Sequence, residues 1–430
     1  MTLAPGHFHA ALVLKEMLPE VYARSYVYAP LNADTLDYVE RVAAFNARRF
    51  TPTDWEIDLR AGPNYLARFL REQPGNAVVI AGRNRVKIDH MLAAAENSCH
   101  ILADKPWVIR PEDFPKIAEV YERAELRETL VWDMMTERHE VTSIFQRELI
   151  HDPQVFGDFL VGNTAEPTLE LTSTHYLNKV VTGAPLWRPV WYFDPTESGI
   201  SIADVGAHLA DLSIWMLFPD RAIEYTTDIR MIGATAWPTP LSLEQFATIT
   251  GKHEWPDNIP LPIEDGILQY AGNGSVSYTL RGLNVKYTCL WEYEAPPGGN
   301  DRHHAVARGT QAKIIVRTER GPNGQTRPEL YVVPNPGCGA AVRSVLAERI
   351  QDWQSRYPGV KAEERGGEIR IAIPDRFRTQ HEEHFAELLD EFLKHARNPR
   401  RALQTEMKNC QAKYFITTQA VKMATQLQAD

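Results

Sequence analysis

The apolar rhythm of the chain changes character near residue 134. Before that point, short apolar runs alternate with stretches of helical period. Thr2-Leu3-Ala4 predicts a strand that turns at Pro5-Gly6, and a helix follows through Ala10 to Leu14. Ser25 to Tyr28 predicts a second strand, and Leu36 to Phe45 a helix. Ala77-Val78-Val79-Ile80-Ala81 is apolar throughout and stops at Gly82, as a strand buried on both faces does. A helix over Lys87 to Glu96, a strand His100 to Ala103, a helix over 112–126 and a strand Thr129 to Trp132 continue the alternation. The prediction for residues 1–133 is an α/β domain, a doubly wound parallel sheet of the Rossmann kind.

Beyond residue 134 a helix near 136–151 gives way to β-rich segments with many turn residues. Gly266 to Tyr270 and Val276 to Leu280 read as two strands, with Asn273-Gly274 as the hairpin turn between them. Lys313 to Arg317 reads as a further strand. A large, mainly antiparallel open sheet in an α+β domain is expected over 134–378. Two helical patterns, 379–396 and 401–426, are expected to pack back on both domains.

Composition narrows the class. The chain has 430 residues, 44% hydrophobic and 24% charged, as a globular protein of two or three domains would. Its formal net charge is −10, with no concentrated basic stretch, so a nucleic-acid partner is not expected. Cys99, Cys289, Cys338 and Cys410 are widely spaced and form no C-x-x-C pair, which disfavours a zinc ribbon or a disulfide framework. No apolar run of roughly 20 residues and no leader-like start are read, so a cytoplasmic chain without a membrane partner is expected.

Four places carry candidate chemistry. Gly6-His7-Phe8-His9 stands at the first strand–helix turn, where a dinucleotide fold receives a pyrophosphate; only Gly6 remains of a G-x-G-x-x-G pattern. The His7-x-His9 pair would suit a metal hydrolase if further ligands followed on successive strands; none is recognised, and no metal is expected. Gly82-x-Asn84 follows the most apolar strand, at the carboxyl end where ligands bind. Asp104-Lys105-Pro106 closes another strand, the proline biasing Lys105 away from helical geometry. Last, Asp204, His208, Asp211 and Trp215 share one helix face, with Val205, Leu209, Leu212 and Met216 on an apolar stripe. A histidine between carboxylates on one face can have its tautomer set by them.

Together these pieces resemble the Gfo/Idh/MocA family of nicotinamide-dependent oxidoreductases, in a poorly characterised bacterial branch. Asp104-Lys105-Pro106 resembles the family's Glu-Lys-Pro motif, and Asp204-x-x-x-His208 its second-domain helix motif. The resemblance implies that Lys105 binds the reacting oxygen and that His208, oriented by Asp204, is the general base. Gly6, His7, Phe8, His9, Gly82, Asn84, Lys105 and Pro106 would then meet NAD or NADP. NAD is preferred, because no arginine stands near the second strand to favour a 2′-phosphate. His175, Lys179, Arg188 and Trp191, rich in donors and aromatic surface, are expected to hold a sugar, glycoside or cyclitol. The family also implies a homodimer or homotetramer built through the open sheet. Two alternatives remain: a redox-assisted glycosidase with no net redox change, and a non-catalytic cofactor-binding protein.

Overall fold

The computed structural model describes residues 1–430 apart from 182–183, 258–259, 298, 322–325, 380 and 427–430, with the side chains of 184 and 401–403 also left out. Six strands build the first sheet: β1 Thr2–Leu3, β2 Arg24–Ala29, β3 Glu56–Ala61, β4 Ala77–Ile80, β5 His100–Ala103 and β6 Val131–Asp133. All are parallel, in the order β3-β2-β1-β4-β5-β6, so the topological switch lies between β1 and β4. The doubly wound expectation therefore holds. Strand β3 was not legible: Glu56-Ile57-Asp58-Leu59-Arg60-Ala61 lies at the sheet edge and alternates charged with apolar residues. The first helix is also shorter than expected, a single turn over His9–Leu12.

The second sheet has ten strands among the described residues. They are β7 Leu169–Asn178, β10 Ile229–Leu241, β11 Ile263–Glu264, β12 Ile267–Leu280, β13 Leu283–Glu294, β14 Arg302–Arg308, β15 Ala312–Arg320, β16 Thr326–Pro334, β17 Lys361–Arg365 and β18 Glu368–Ala372. A small pair, β8 Val180–Val181 with β9 Ala184–Pro185, stands apart. The large sheet is antiparallel except where β13 runs parallel to β7. One expectation fails here. Asn273-Gly274 is no hairpin turn but lies inside the continuous strand β12, and the chain reverses at Arg281-Gly282 instead. The residues serve packing: a Cβ at Gly274 would lie 2.4 Å from Ile202, and the Asn273 amide bonds Thr239 Oγ1 and the Trp291 N–H. His303 and His304 lie in strand β14.

Across the large sheet lies the helix Ser201–Leu217, here called the cleft helix. Its stripe Val205, Leu209, Leu212 and Met216 is buried in the core of this sheet, as its period predicts. The segment Pro195–Leu217 is long and apolar enough to cross a membrane, which the sequence reading overlooked. In the structure 83% of its apolar window is buried, as in a core helix.

The C-terminal helices His381–Ala396 and Pro399–Gln426 join the two cores. Phe385, Leu388, Phe392 and Tyr414 pack into the core of the parallel sheet, whereas Ile416 and Ala420 pack into the other. At their centre Lys413 is fully buried, 2.7 Å from Asp133 at the end of β6 and 3.3 Å from Asp211 on the cleft helix. Arg138 grips Asp211 with two 2.7 Å bonds and meets Glu406 at 3.3 Å. Replacing one partner of a buried network leaves the others uncompensated. Lys413→Met is expected to cost about 3–5 kcal/mol in urea unfolding; an unchanged midpoint would contradict this role.

His139, in the turn Thr136–His139, lies 3.3 Å from Glu387 and 3.5 Å from Glu391 of the first C-terminal helix. Burial alone would lower its imidazole, but hydrogen bonds to the two glutamates outweigh this and raise it to about 9. The unfolded imidazole titrates near ~6.5. The pair's stabilisation is thus complete below about pH 6.5 and lost as pH rises through about 9. The gap in Tm between wild type and His139→Gln should narrow on going from about pH 6 to about pH 9.5.

Candidate active site

The carboxyl ends of β1, β4 and β5 and the first turns of the cleft helix bring the expected residues into one cleft. Lys105 follows β5 through a cis peptide to Pro106, and both are buried. Its Nζ lies 2.6 Å from Asp204 Oδ1, an ion pair between the domains. Burial opposes both charges, yet each partner favours the other: Lys105 is raised and Asp204 lowered. His208, one turn further along, is buried and its Nδ1 has no hydrogen-bond partner among the described residues. Burial, and then the positive field of Lys105, hold its imidazole well below the usual range, so it is neutral.

One expected relation is corrected. The carboxylates on the cleft helix do not flank His208: Asp204 faces Lys105, and Asp211 is taken by Arg138 and Lys413. The reason is geometric, since the cations arrive from other elements and claim both acids.

The turn after β1 departs from an open phosphate cradle. Ala4 adopts a positive φ of 45°, and a Cβ on Gly82 would lie 2.2 Å from the Ala4 carbonyl oxygen. The N–H groups of Gly6 and His7 both donate at 3.0 Å to the Ala81 carbonyl, bridging β1 and β4 at the switch point. Asn84 is also committed: its amide donates to the Ser198 carbonyl at 2.7 Å, and its oxygen accepts from buried Lys87. Burial lowers Lys87 to about 8. Phe8 packs against the rings of both His7 and His9, whose Nδ1 atoms both reach Asp104 at 3.0 Å.

A small cleft opens beside this turn, lined by Gly6, His7, Phe8, Arg41, Arg188 and Trp191 among others. Trp191 donates its indole N–H to Asp34, which Arg83 also meets at 3.3 Å. Two arginines therefore stand at this end, Arg41 from the helix after β2 and Arg83 from the loop after β4. The expectation of none rested on the residues next to the second strand, and with it goes the ground for preferring NAD.

The remaining candidates fall into two groups. The Arg188 guanidinium lies over Tyr192 and Trp291 and donates to the Tyr176 and Leu177 carbonyls. His175 and Lys179 share Asp301, at 2.9 and 2.8 Å, while His175 Nε2 meets Ser173 Oγ at 2.8 Å. Burial would raise Asp301, but Lys179 and His175 hold it well below the usual carboxylate range. The fields of Lys179 and Asp301 reach His381, which in turn lies 3.2 Å from His9. Lys87, Asp34, Arg83, Tyr192 and His381 were missed. Only Asp34, soon after β2, stood where a signal could have been sought.

The profile described as "Putative oxidoreductase C terminal domain" matches residues 145–425, more than half of the chain. The chain is 37% identical to a putative oxidoreductase from Parabacteroides merdae, with a TM-score of 0.94 over 99% of this chain and 97% of that one. Levoglucosan dehydrogenase in complex with NADH and levoglucosan shares the fold at 15% identity, TM-score 0.58, over 99% and 96% of the two chains. So does KijD10, a 3-ketoreductase from Actinomadura kijaniata in complex with NADP and TDP-benzene, at 12% identity, TM-score 0.55, over 98% and 96%. No curated protein sequence matches. The chain is a member of the Gfo/Idh/MocA oxidoreductases. Within them it belongs to the branch defined by that C-terminal domain, together with the Parabacteroides protein.

The Gly82–Ala4 approach supplies a test of the closed switch point. Gly82→Ala must push the two loops apart, and overpacking of this kind costs about 1–3 kcal/mol. A thermal midpoint unchanged from wild type would show that the loops are not in contact in solution.

Proposed function

We propose that the chain is a nicotinamide-dependent dehydrogenase acting on a ring hydroxyl of a sugar, glycoside or cyclitol. The observation that carries this reading is the Lys105–Asp204 pair with His208 one helical turn away, at the wall between the two domains. Sugar-related relatives that bind NADH or NADP in the same fold support the cofactor and the substrate class. The cleft beside Gly6, His7 and Phe8 would receive the middle of the dinucleotide, where Arg41, paired with Asp37 in the structure, would turn to a phosphate. Because the Gly6 and His7 N–H groups are spent on Ala81, the phosphate grip falls to arginine side chains. Bound there, the nicotinamide would supply the hydride acceptor or donor.

The side chains do the rest. Lys105 donates an N–H to the reacting oxygen and stabilises negative charge developing on it. Asp204 holds the ammonium in place and keeps it charged. His208, neutral and with an unpartnered nitrogen, accepts the hydroxyl proton in oxidation and returns it in reduction. The His175–Asp301–Lys179 group and the Arg188–Trp191 wall would hold the remaining hydroxyls.

A second reading, redox-assisted glycoside cleavage, draws support from His175–Asp301, a further imidazole–carboxylate pair able to move a second proton. Reduced cofactor accumulates in step with product only for the dehydrogenase. The test is a titration with NAD and NADP, followed by a sugar and glycoside panel read at the reduced-nicotinamide absorbance. Lys105→Ala and His208→Ala are each expected to lower turnover by about 10²–10⁴-fold with the fold retained by circular dichroism. Failure of both cofactors to bind, or full turnover in both variants, sinks the reading.

A further inference from the structure

The short turn after β1 carries two imidazoles that share one carboxylate. The rings of His7 and His9 stand edge-on with centroids 4.1 Å apart. Asp104, from the end of β5, lies between them: Oδ2 is 3.0 Å from His7 Nδ1 and Oδ1 is 3.0 Å from His9 Nδ1. One donor atom from each of the three residues lies within 4.8 Å of the other two.

His9 Nδ1 makes a hydrogen bond with Asp104 Oδ1 at 3.0 Å. His7 Nδ1 is buried and close to the carboxylate, yet it makes no hydrogen bond, because its ring is not aimed at the oxygen. His9 has its far nitrogen, Nε2, 3.2 Å from His381 Nε2. A divalent cation would take the place of the proton between His9 Nδ1 and Asp104 Oδ1 and would give His7 Nδ1 a partner. Two imidazoles and one carboxylate are a donor set for zinc and similar divalent ions, with positions left for water or substrate. His381 then has the role of an outer partner that fixes a ligating ring.

We propose that His7 Nδ1, His9 Nδ1 and Asp104 bind one divalent transition-metal ion. Its free positions would lie toward the cleft that His7 lines, and would take water or another oxygen ligand from it. The sequence pattern had pointed away from a metal because ligands beyond His7 and His9 were sought as histidines or acids on successive strands. The third ligand instead belongs to the Asp-Lys-Pro segment, two strands away across the sheet. This site does not rest on nicotinamide binding, and either can stand without the other.

The test uses the full chain freed of metal by a chelator and titrated with Co²⁺, then with Zn²⁺. One Co²⁺ per chain should bind with visible d–d absorption and be displaced by Zn²⁺. His7→Gln, at a half-buried position, and Asp104→Asn should each weaken binding at least tenfold, His381→Ala by about 10–100-fold. His304→Ala, on an exposed position of β14, should bind as wild type does. Circular dichroism and Tm confirm that each variant is folded. Absence of one-to-one binding in the wild-type chain overturns the proposal, as does wild-type affinity in folded His7→Gln. A parallel titration with NAD and NADP reports on the dehydrogenase reading alone.

Discussion

Two aspartates on one face of a buried helix govern how the halves of this protein meet. Asp204 and Asp211 are seven residues apart on the cleft helix, and neither can stay ionised in the interior without a cation. Asp204 receives Lys105 from the parallel sheet. Asp211 receives Lys413 from the C-terminal helix and Arg138 from the junction between the domains. Each pairing fixes the helix against a different element, so the cleft, its base and the C-terminal helices share one arrangement of charges. His208 lies between the two acids along the helix and pairs with neither, which leaves its Nδ1 without a hydrogen-bond partner among the described residues.

The switch point of the parallel sheet imposes a second constraint. In a doubly wound sheet this crevice is where a ligand reaches the strand ends. Here the Ala81 carbonyl accepts from both Gly6 and His7, and Gly82 packs directly on Ala4. The Gly6 and His7 N–H groups are thereby withdrawn, and side chains line the crevice: Arg41 and Arg83 on one side, His7, His9 and Asp104 on the other. Only Gly6 of a G-x-G-x-x-G pattern is present in this turn, and a turn whose N–H groups are bonded to a neighbouring strand can carry the side chains of His7 and His9 where that pattern has small residues.

Much of this was legible from residue patterns. Inner strands of the parallel sheet announced themselves as continuous apolar runs, as in Ala77 to Ile80, and the cleft helix by its apolar stripe. The edge strand β3 was hidden because one side of it meets water and its composition is polar. Asn273-Gly274 misled because the same residues that favour a turn also permit close approach. The space beneath Ile202, not local propensity, decided between them.

The sequence by itself determined the periods, the strand ends and the residue types that can hold a charge or a proton. These are local properties, written in spacings of two to four residues. Lys105 at a strand end and Asp204 with His208 on one helix face were therefore visible from the start. Which acid each cation would meet depended on contacts between residues about a hundred to nearly three hundred positions apart. Tertiary structure alone gave Asp204 to Lys105, closed the Gly6 turn onto Ala81 and brought His381 to His9, because burial forces each charge and donor to find its partner in space.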